Sequence, residues 1–284
     1  MPTDVTTRDT PAAIVAFLDG RAARRTTPFV GGTMVWRAWG QGRPLVLLHG
    51  ATGSWTHWIL NIAPLAERFR VLVPDMPGYG DSDVPPEPHS ADGLADILAA
   101  GIDLVVPTPA RFDLAGFSFG GIIAGLVAAR EGARVGTLVL LGPGGMALPA
   151  APLRRLRRLR PEMTPGDARE THRENLRILM LADPAKADDL AVHLQMENIR
   201  RARFKSGGIP ESDALSRALP AVRARLVAIW GERDAFTGPN IELRRRTLAS
   251  FQSGLDFRVV EGAGHWAIYE AAERVNVALL EALG

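Results

Sequence analysis

From residue 35 onward, short apolar runs alternate with stretches whose apolar residues recur at helical spacing, and Gly, Pro and Asp mark the joints. The runs Leu45 to Leu48 (LVLL), Val71 to Val73 (VLV), Phe112 to Ala115 (FDLA), Leu138 to Leu141 (LVLL), Leu226 to Ile229 (LVAI) and Phe257 to Val260 (FRVV) are too continuously apolar for a sheet with one wet face. They read as parallel strands buried on both faces and joined by crossover helices, an α/β class. Upstream, Met34 to Trp39 (MVWRAW) followed by GQG reads as an edge strand leading into a tight turn. The rhythm breaks once. More than eighty residues separate the Leu138 run from the Leu226 run, too many for a simple crossover, and they carry helical patterns without a clear strand. Residues 144–216 are therefore expected to form an inserted helical cap, with 1–143 and 217–284 as the core domain. Within the insert, Leu153 to Arg160 reads LRRLRRLR. That spacing predicts an amphipathic helix whose leucines pack and whose arginines face water. An anionic membrane surface, a partner subunit in a homodimer, or an acidic substrate group near the mouth of the site are the other readings of those arginines.

Composition narrows this picture. At 284 residues, 46% hydrophobic and 23% charged, the chain can bury the core of one large α/β domain plus an insertion. A net charge of +2 gives no reason to expect a nucleic acid partner. There is no cysteine, which excludes disulfides, thiolate metal sites and a cysteine nucleophile together. The first residues, MPTDVTTRDTPAAIVAFLDG, place an acid at Asp4 where a secretory leader would be basic. No apolar run approaches the roughly 18 residues that span a bilayer. No membrane partner is expected, and a cytoplasmic location is the default.

The candidate chemistry lies where predicted strands end. Gly116-Phe117-Ser118-Phe119-Gly120 follows a strand and opens a helix, the context a nucleophile elbow requires. A serine hydroxyl needs a base. Of the six histidines, His265 is placed best, in a loop just after the last predicted strand. His49 reads as shaping the loop beyond its own strand, His57 as lining a pocket, and His89, His172 and His193 as surface or packing residues. The imidazole in turn needs a carboxylate to hold its tautomer. Asp234, after the Leu226 strand, fits, with Glu232 as the fallback; after the Leu138 strand there is only Gly142-Pro143-Gly144-Gly145. The backbone amides of Ala51 and Phe119 are the expected oxyanion donors, each typically worth roughly 2.7–4 kcal/mol. No HExxH, P-loop or dinucleotide fingerprint is present, so no metal and no cofactor are expected.

Taken together, His49-Gly50, Asp75-Met76-Pro77-Gly78-Tyr79-Gly80-Asp81-Ser82, the Ser118 elbow, and Asp234 with His265 resemble the α/β-hydrolase family from about Gly31 to Leu283. The resemblance implies a mostly parallel eight-stranded sheet with helices on both faces and an inserted helical cap. Gly142-Pro143-Gly144-Gly145 and Gly264-His265-Trp266-Ala267 look in particular like the carbon–carbon bond hydrolases of aromatic meta-cleavage pathways. The chain departs from that subgroup at Phe117, where Asn usually precedes the nucleophile, and at the oxyanion loop Ala51-Thr52-Gly53. Gln195 stands where a lid arginine of the subgroup contacts the substrate carboxylate, with Arg200, Arg201 or Arg203 as alternatives. Phe117, Trp266, Trp55 and Gln195 are the expected substrate-binding residues. The leading expectation is a serine hydrolase cleaving a carboxylic ester or related acyl compound of small-molecule size. The alternative is a carbon–carbon bond hydrolase of a meta-cleavage product, and a third reading is a non-catalytic binding protein on the same fold.

Overall fold

The structure, a computed structural model, describes residues 10–284. Residues 1–9, including Asp4, lie outside the described residues. Helix α1 (Pro11–Asp19), started by the Thr10 side chain accepting the Ala13 amide, precedes strands β1 (Ala23–Phe29), β2 (Gly32–Trp39) and β3 (Arg43–Leu48). Then follow α2 (Ile62–Ala66), β4 (Phe69–Pro74), α3 (Ala91–Val105), β5 (Phe112–Phe117), α4 (Phe119–Glu131) and β6 (Val135–Leu141). Helices α5 (Pro165–Leu179), α6 (Asp189–Arg201) and α7 (Ala214–Ala218) lead to β7 (Arg225–Gly231), α8 (Ile241–Phe251), β8 (Asp256–Val260), α9 (Ala267–Glu270) and α10 (Ala272–Leu283).

The sheet has eight strands in the order β1-β2-β4-β3-β5-β6-β7-β8. β1 and β2 run antiparallel and every pairing from β4 to β8 is parallel. Most of the apolar runs are continuous because both faces are covered; the expectation for Phe257 to Val260 is corrected, since β8 is the far edge of the sheet, with only Val260 buried and Val259 46% exposed. Along β3, Val46 and Leu48 enter the layer with α3 and α4, while Leu45 and Leu47 enter the layer with α2 and α10.

Two further local expectations are corrected. The expected edge strand is second from the edge: β1 pairs along the whole of β2 and is itself the edge. Its sequence, ARRTTPF, offers little apolar signal, since it needs only Thr27 buried, where that hydroxyl accepts the Trp36 indole N–H at 2.9 Å. Second, Leu153 to Arg160 is not helical. Its arginines at i, i+3 and i, i+4 repel one another with no acid among them. Pro161 disfavours helical backbone at Arg160, and an eight-residue stretch is too short to be helical unaided. The backbone is held instead from α5, where Asn175 accepts the Arg157 amide at 2.8 Å and donates to the Arg157 carbonyl at 3.0 Å.

No helix among the described residues is long and apolar enough to cross a membrane.

Candidate active site

Ser118 sits between β5 and α4 with φ 53° and ψ −117°, a conformation that a non-glycine residue adopts only under constraint. The constraint is close approach. A methyl group on Gly116 would strike the Gly120 carbonyl, and one on Gly120 would strike the carbonyls of Leu48 and His49, so strand and helix meet only with glycine at both places. The serine is thereby held at the carboxyl edge of the sheet. Its Oγ lies 2.9 Å from His265 Nε2, and His265 Nδ1 lies 2.7 Å from Asp234 Oδ2.

A carboxylate only accepts, so Nδ1–H donates to Asp234, and Nε2 is left to accept the Ser118 proton. Asp234 Oδ1 accepts the Phe236 and Thr237 amides at 2.8 and 3.1 Å. Burial by itself would raise the Asp234 carboxyl. The His265 ring beside it, together with those amides, outweighs burial and holds it below the usual carboxylate range. His265 is packed between Phe117 and Phe236, with ring centroids 5.1 and 4.5 Å away. Glu232, the fallback acid, instead accepts the Gly262 amide at 2.8 Å.

The loop carrying Ala51 is shaped by two histidines. His49 donates from Nδ1 to the Gly50 carbonyl at 2.8 Å and accepts the Met76 amide at Nε2 at 2.9 Å. His57 accepts the Gly50 amide at 3.1 Å. Both rings are pushed toward neutrality by burial, His57 strongly, with His49 and His265 adding to the effect. Asp75, in the motif that follows β4, ties this region to the sheet edge. It accepts the Trp55 amide at 2.8 Å and the Arg37 guanidinium at 2.9 Å. The Ala51 amide enters no backbone hydrogen bond among the described residues. Phe119 opens α4, whose leading amides have no acceptor within the helix.

Two cavities meet at Ser118 and share Ala51, Phe236 and His265. One, of about 200 Å³, is lined by Phe117, Gln195, His57, His172 and, from the 147–163 segment, Leu156 and Leu159. The other, of about 340 Å³, is lined by Gly142 to Leu148, Phe119, Ile122 and Arg244. Gly142 lets Asp234 and His265 approach this wall: its φ is +55°, and a methyl there would lie 3.2 Å from Asp234 Oδ2. Phe117 and Gln195 thus line a cavity at Ser118, whereas Trp55 and Trp266 line neither. Trp55 packs on Trp39 with centroids 5.5 Å apart. Trp266 is fully buried, donating its indole N–H to the His57 carbonyl at 3.2 Å. Among the lining residues without a sequence signal are Phe236, Arg244 and His172, the last buried as a packing residue. Among the described residues no group of three His, Asp or Glu side chains could hold a metal ion.

The model of the alpha/beta hydrolase family matches residues 45–278. The chain belongs to that family. The 2-hydroxy-6-oxononadienedioate/2-hydroxy-6-oxononatrienedioate hydrolase of Escherichia coli K12 is 31% identical to this hydrolase over 268 residues, 86% of this chain and 88% of its own. Among solved structures, a meta-cleavage product hydrolase from Pseudomonas fluorescens IP01 superposes with a TM-score of 0.68 at 23% identity, covering 91% of this chain and 97% of that one. An esterase from Thermogutta terrifontis superposes with a TM-score of 0.65 at 24% identity, covering 92% and 97%. At these identities the two superpositions speak for the fold alone.

Proposed function

We propose that this hydrolase cleaves a carbon–carbon bond next to a ketone in a vinylogous diketone of the meta-cleavage type, with Ser118 as nucleophile, His265 as general base and acid, and Asp234 as its orienting carboxylate. The observation that carries the reading is the 31% identity, across most of both chains, to a hydrolase named for a hydroxy-oxo-dienedioate. It is supported by the Ser118–His265–Asp234 chain of hydrogen bonds at 2.9 and 2.7 Å.

In the first half-reaction Ser118 Oγ bonds to the carbonyl carbon and gives its proton to His265, while the oxyanion is received by the Ala51 and Phe119 amides. Collapse breaks the carbon–carbon bond. The electron pair leaves as an enolate, which takes up the proton held by His265. Water, deprotonated by the same ring, then adds to the acyl-serine, and Ser118 departs with its proton restored. The products are a carboxylic acid and an enol. The segment 144–216 would act as the cap that walls this chemistry from solvent, since its Leu156 and Leu159 face the smaller cavity.

A second reading, a carboxylic ester as substrate, draws on Phe117 and Gln195, which bring an apolar ring and a neutral amide to the cavity where the subgroup has Asn and Arg. The two readings share every reacting residue and part on substrate. Loss of the yellow dienolate absorbance of a ring-fission product, run beside p-nitrophenyl esters of increasing acyl length, separates them. Turnover of the dienolate abolished by Ser118→Ala is the expected result. Rapid ester cleavage with an inert dienolate overturns the first reading. Failure of a fluorophosphonate to label the folded protein would leave only a binding role.

A further inference from the structure

The smaller cavity holds no Lys or Arg, and its rings His57 and His172 are pushed toward neutrality by burial. The three arginines at the end of α6 that could stand in for a lid arginine are engaged elsewhere. Arg200 pairs with Glu197 at 2.7 Å, Arg201 with Asp81 at 2.6 Å, and Arg203 donates to the carbonyls of Gly80 and Ser82. The larger cavity differs. Arg244, on the first turn of α8, lines it while only 7% exposed. One guanidinium nitrogen, Nη2, donates to the Pro149 carbonyl at 2.7 Å. Nη1 is buried and has no hydrogen-bond partner among the described residues. The nearest buried acid cannot supply one, because Asp234 spends its oxygens on His265, Phe236 and Thr237. Glu211, the other acid on this wall, is exposed.

A guanidinium stays charged at any pH the fold survives; Asp234 lies near enough to favour that charge but makes no hydrogen bond to it, and a buried guanidinium nitrogen left unpaired is costly. Its planar fork fits a carboxylate or a phosphate, and the acid substrates of the hydrolytic reading carry the former. We propose that Arg244 is the docking point for a substrate carboxylate carried on the arm that fills the Gly142–Leu148 lobe, away from the scissile carbonyl. The hydrolase would then select acids whose charge lies on the α8 side of Ser118, opposite Gln195. This rests on the hydrolytic reading of Ser118 but is testable without turnover.

The test is equilibrium binding to Ser118→Ala protein, read by ligand-observed NMR, of 5-oxo-5-phenylpentanoate and of 5-oxo-5-phenylpentanamide, which match in shape and differ in charge. The acid is expected to bind about tenfold or more tightly than the amide. Adding Arg244→Met should erase that preference while the amide affinity stays within about threefold, the margin of a rim contact. Three outcomes overturn the proposal: equal affinity for acid and amide in the Ser118→Ala protein, a preference that survives Arg244→Met, or an equal weakening of both ligands, which would reduce Arg244 to a tether for Pro149. Should Arg244→Met fail to fold, the comparison in the Ser118→Ala protein still decides. Absence of all turnover in the wild type would sink the hydrolytic reading while leaving this preference measurable.

Discussion

The Ser118 side of the site and the 147–163 segment facing it are held by different kinds of contact. Ser118 is positioned by backbone against backbone, with Gly116 and Gly120 clearing space for the β5–α4 turn between neighbouring strands that are buried on both faces. The 147–163 segment has no helix or strand. Its amides at Ala147 and Ala151 reach the carbonyls of Ser212 and Phe236, the Pro149 carbonyl accepts from Arg244, and Arg157 is clasped by Asn175. Its leucines, Leu153, Leu156 and Leu159, remain 45, 42 and 44% exposed. The proposed chemistry thus rests on close backbone packing, and the opposite wall is fastened by a few hydrogen bonds, two from backbone to backbone and the others through the Arg244 and Asn175 side chains. In general the stability of a region follows its buried contacts, so the two sides should answer mutation differently.

The largest effect is expected at the chemistry itself. Ser118→Ala or His265→Ala removes a member of a unit whose parts act together, and kcat on the best substrate should fall on the order of 10⁶-fold with little change in folding. Retention of most turnover would break the assignment. Next comes the turn beneath Ser118. Gly120→Ala forces a methyl group into the carbonyls of Leu48 and His49, which belong to a central strand and its loop. Overpacking of this kind costs about 3 kcal/mol, a fall in Tm of roughly 5–10 °C by calorimetry. A Tm unchanged by Gly120→Ala would show that strand and helix have room to spare at this turn.

Much of the rigid side could be read along the chain, and the reason is local. A run such as Leu45 to Leu48 is apolar at every position because both sheet faces are covered; Ser118 directly follows the equally buried β5, Asp234 lies in the loop after the buried β7, and His265 lies in the loop after the half-exposed edge strand β8. The looser side resisted for the opposite reason. Leucine at every third residue suits a helix face, yet at Leu153 to Arg160 the repulsion of five arginines and Pro161 prevail over that pattern. Arg244 and His172 reach the cavities from helices whose position depends on tertiary packing, and nothing within a few residues of either marks it. Phe236 was equally silent, although it flanks His265, because an aromatic two residues past an acid has no required role until the loop is folded.

Asp81 offers a middle case, polar yet belonging to the rigid side. Its carboxylate gathers Arg37 and Arg24 at 2.5 Å each and Arg201 at 2.6 Å, joining β2 and the β1 edge to the end of α6. Burial would raise this carboxyl, but the Arg37 guanidinium first, then Arg201 and Arg24, hold it below its usual value. A depressed carboxyl stabilises the fold above its unfolded pKa near 3.9 and loses that contribution as pH falls through the lower folded value. Asp81→Asn should therefore cost about 2 kcal/mol at neutral pH and less below about pH 4, flattening the acid limb of Tm against pH. An unchanged acid limb would place the linkage elsewhere.

The smallest effect sharpens the contrast most. Asn175→Ala removes both bonds to Arg157, but the freed amide and carbonyl lie on an exposed stretch where water can replace them. The cost to global stability should be about 1 kcal/mol or less, a Tm change of at most a few degrees. Asn175 itself lines the smaller cavity, and its loss also loosens its neighbours Leu156 and Leu159 on that wall, so KM should rise severalfold for substrates that fill it while kcat at saturation changes little. If Asn175→Ala instead lowers Tm as far as Gly120→Ala does, the 147–163 segment belongs to the rigid frame and the contrast between the two walls is lost.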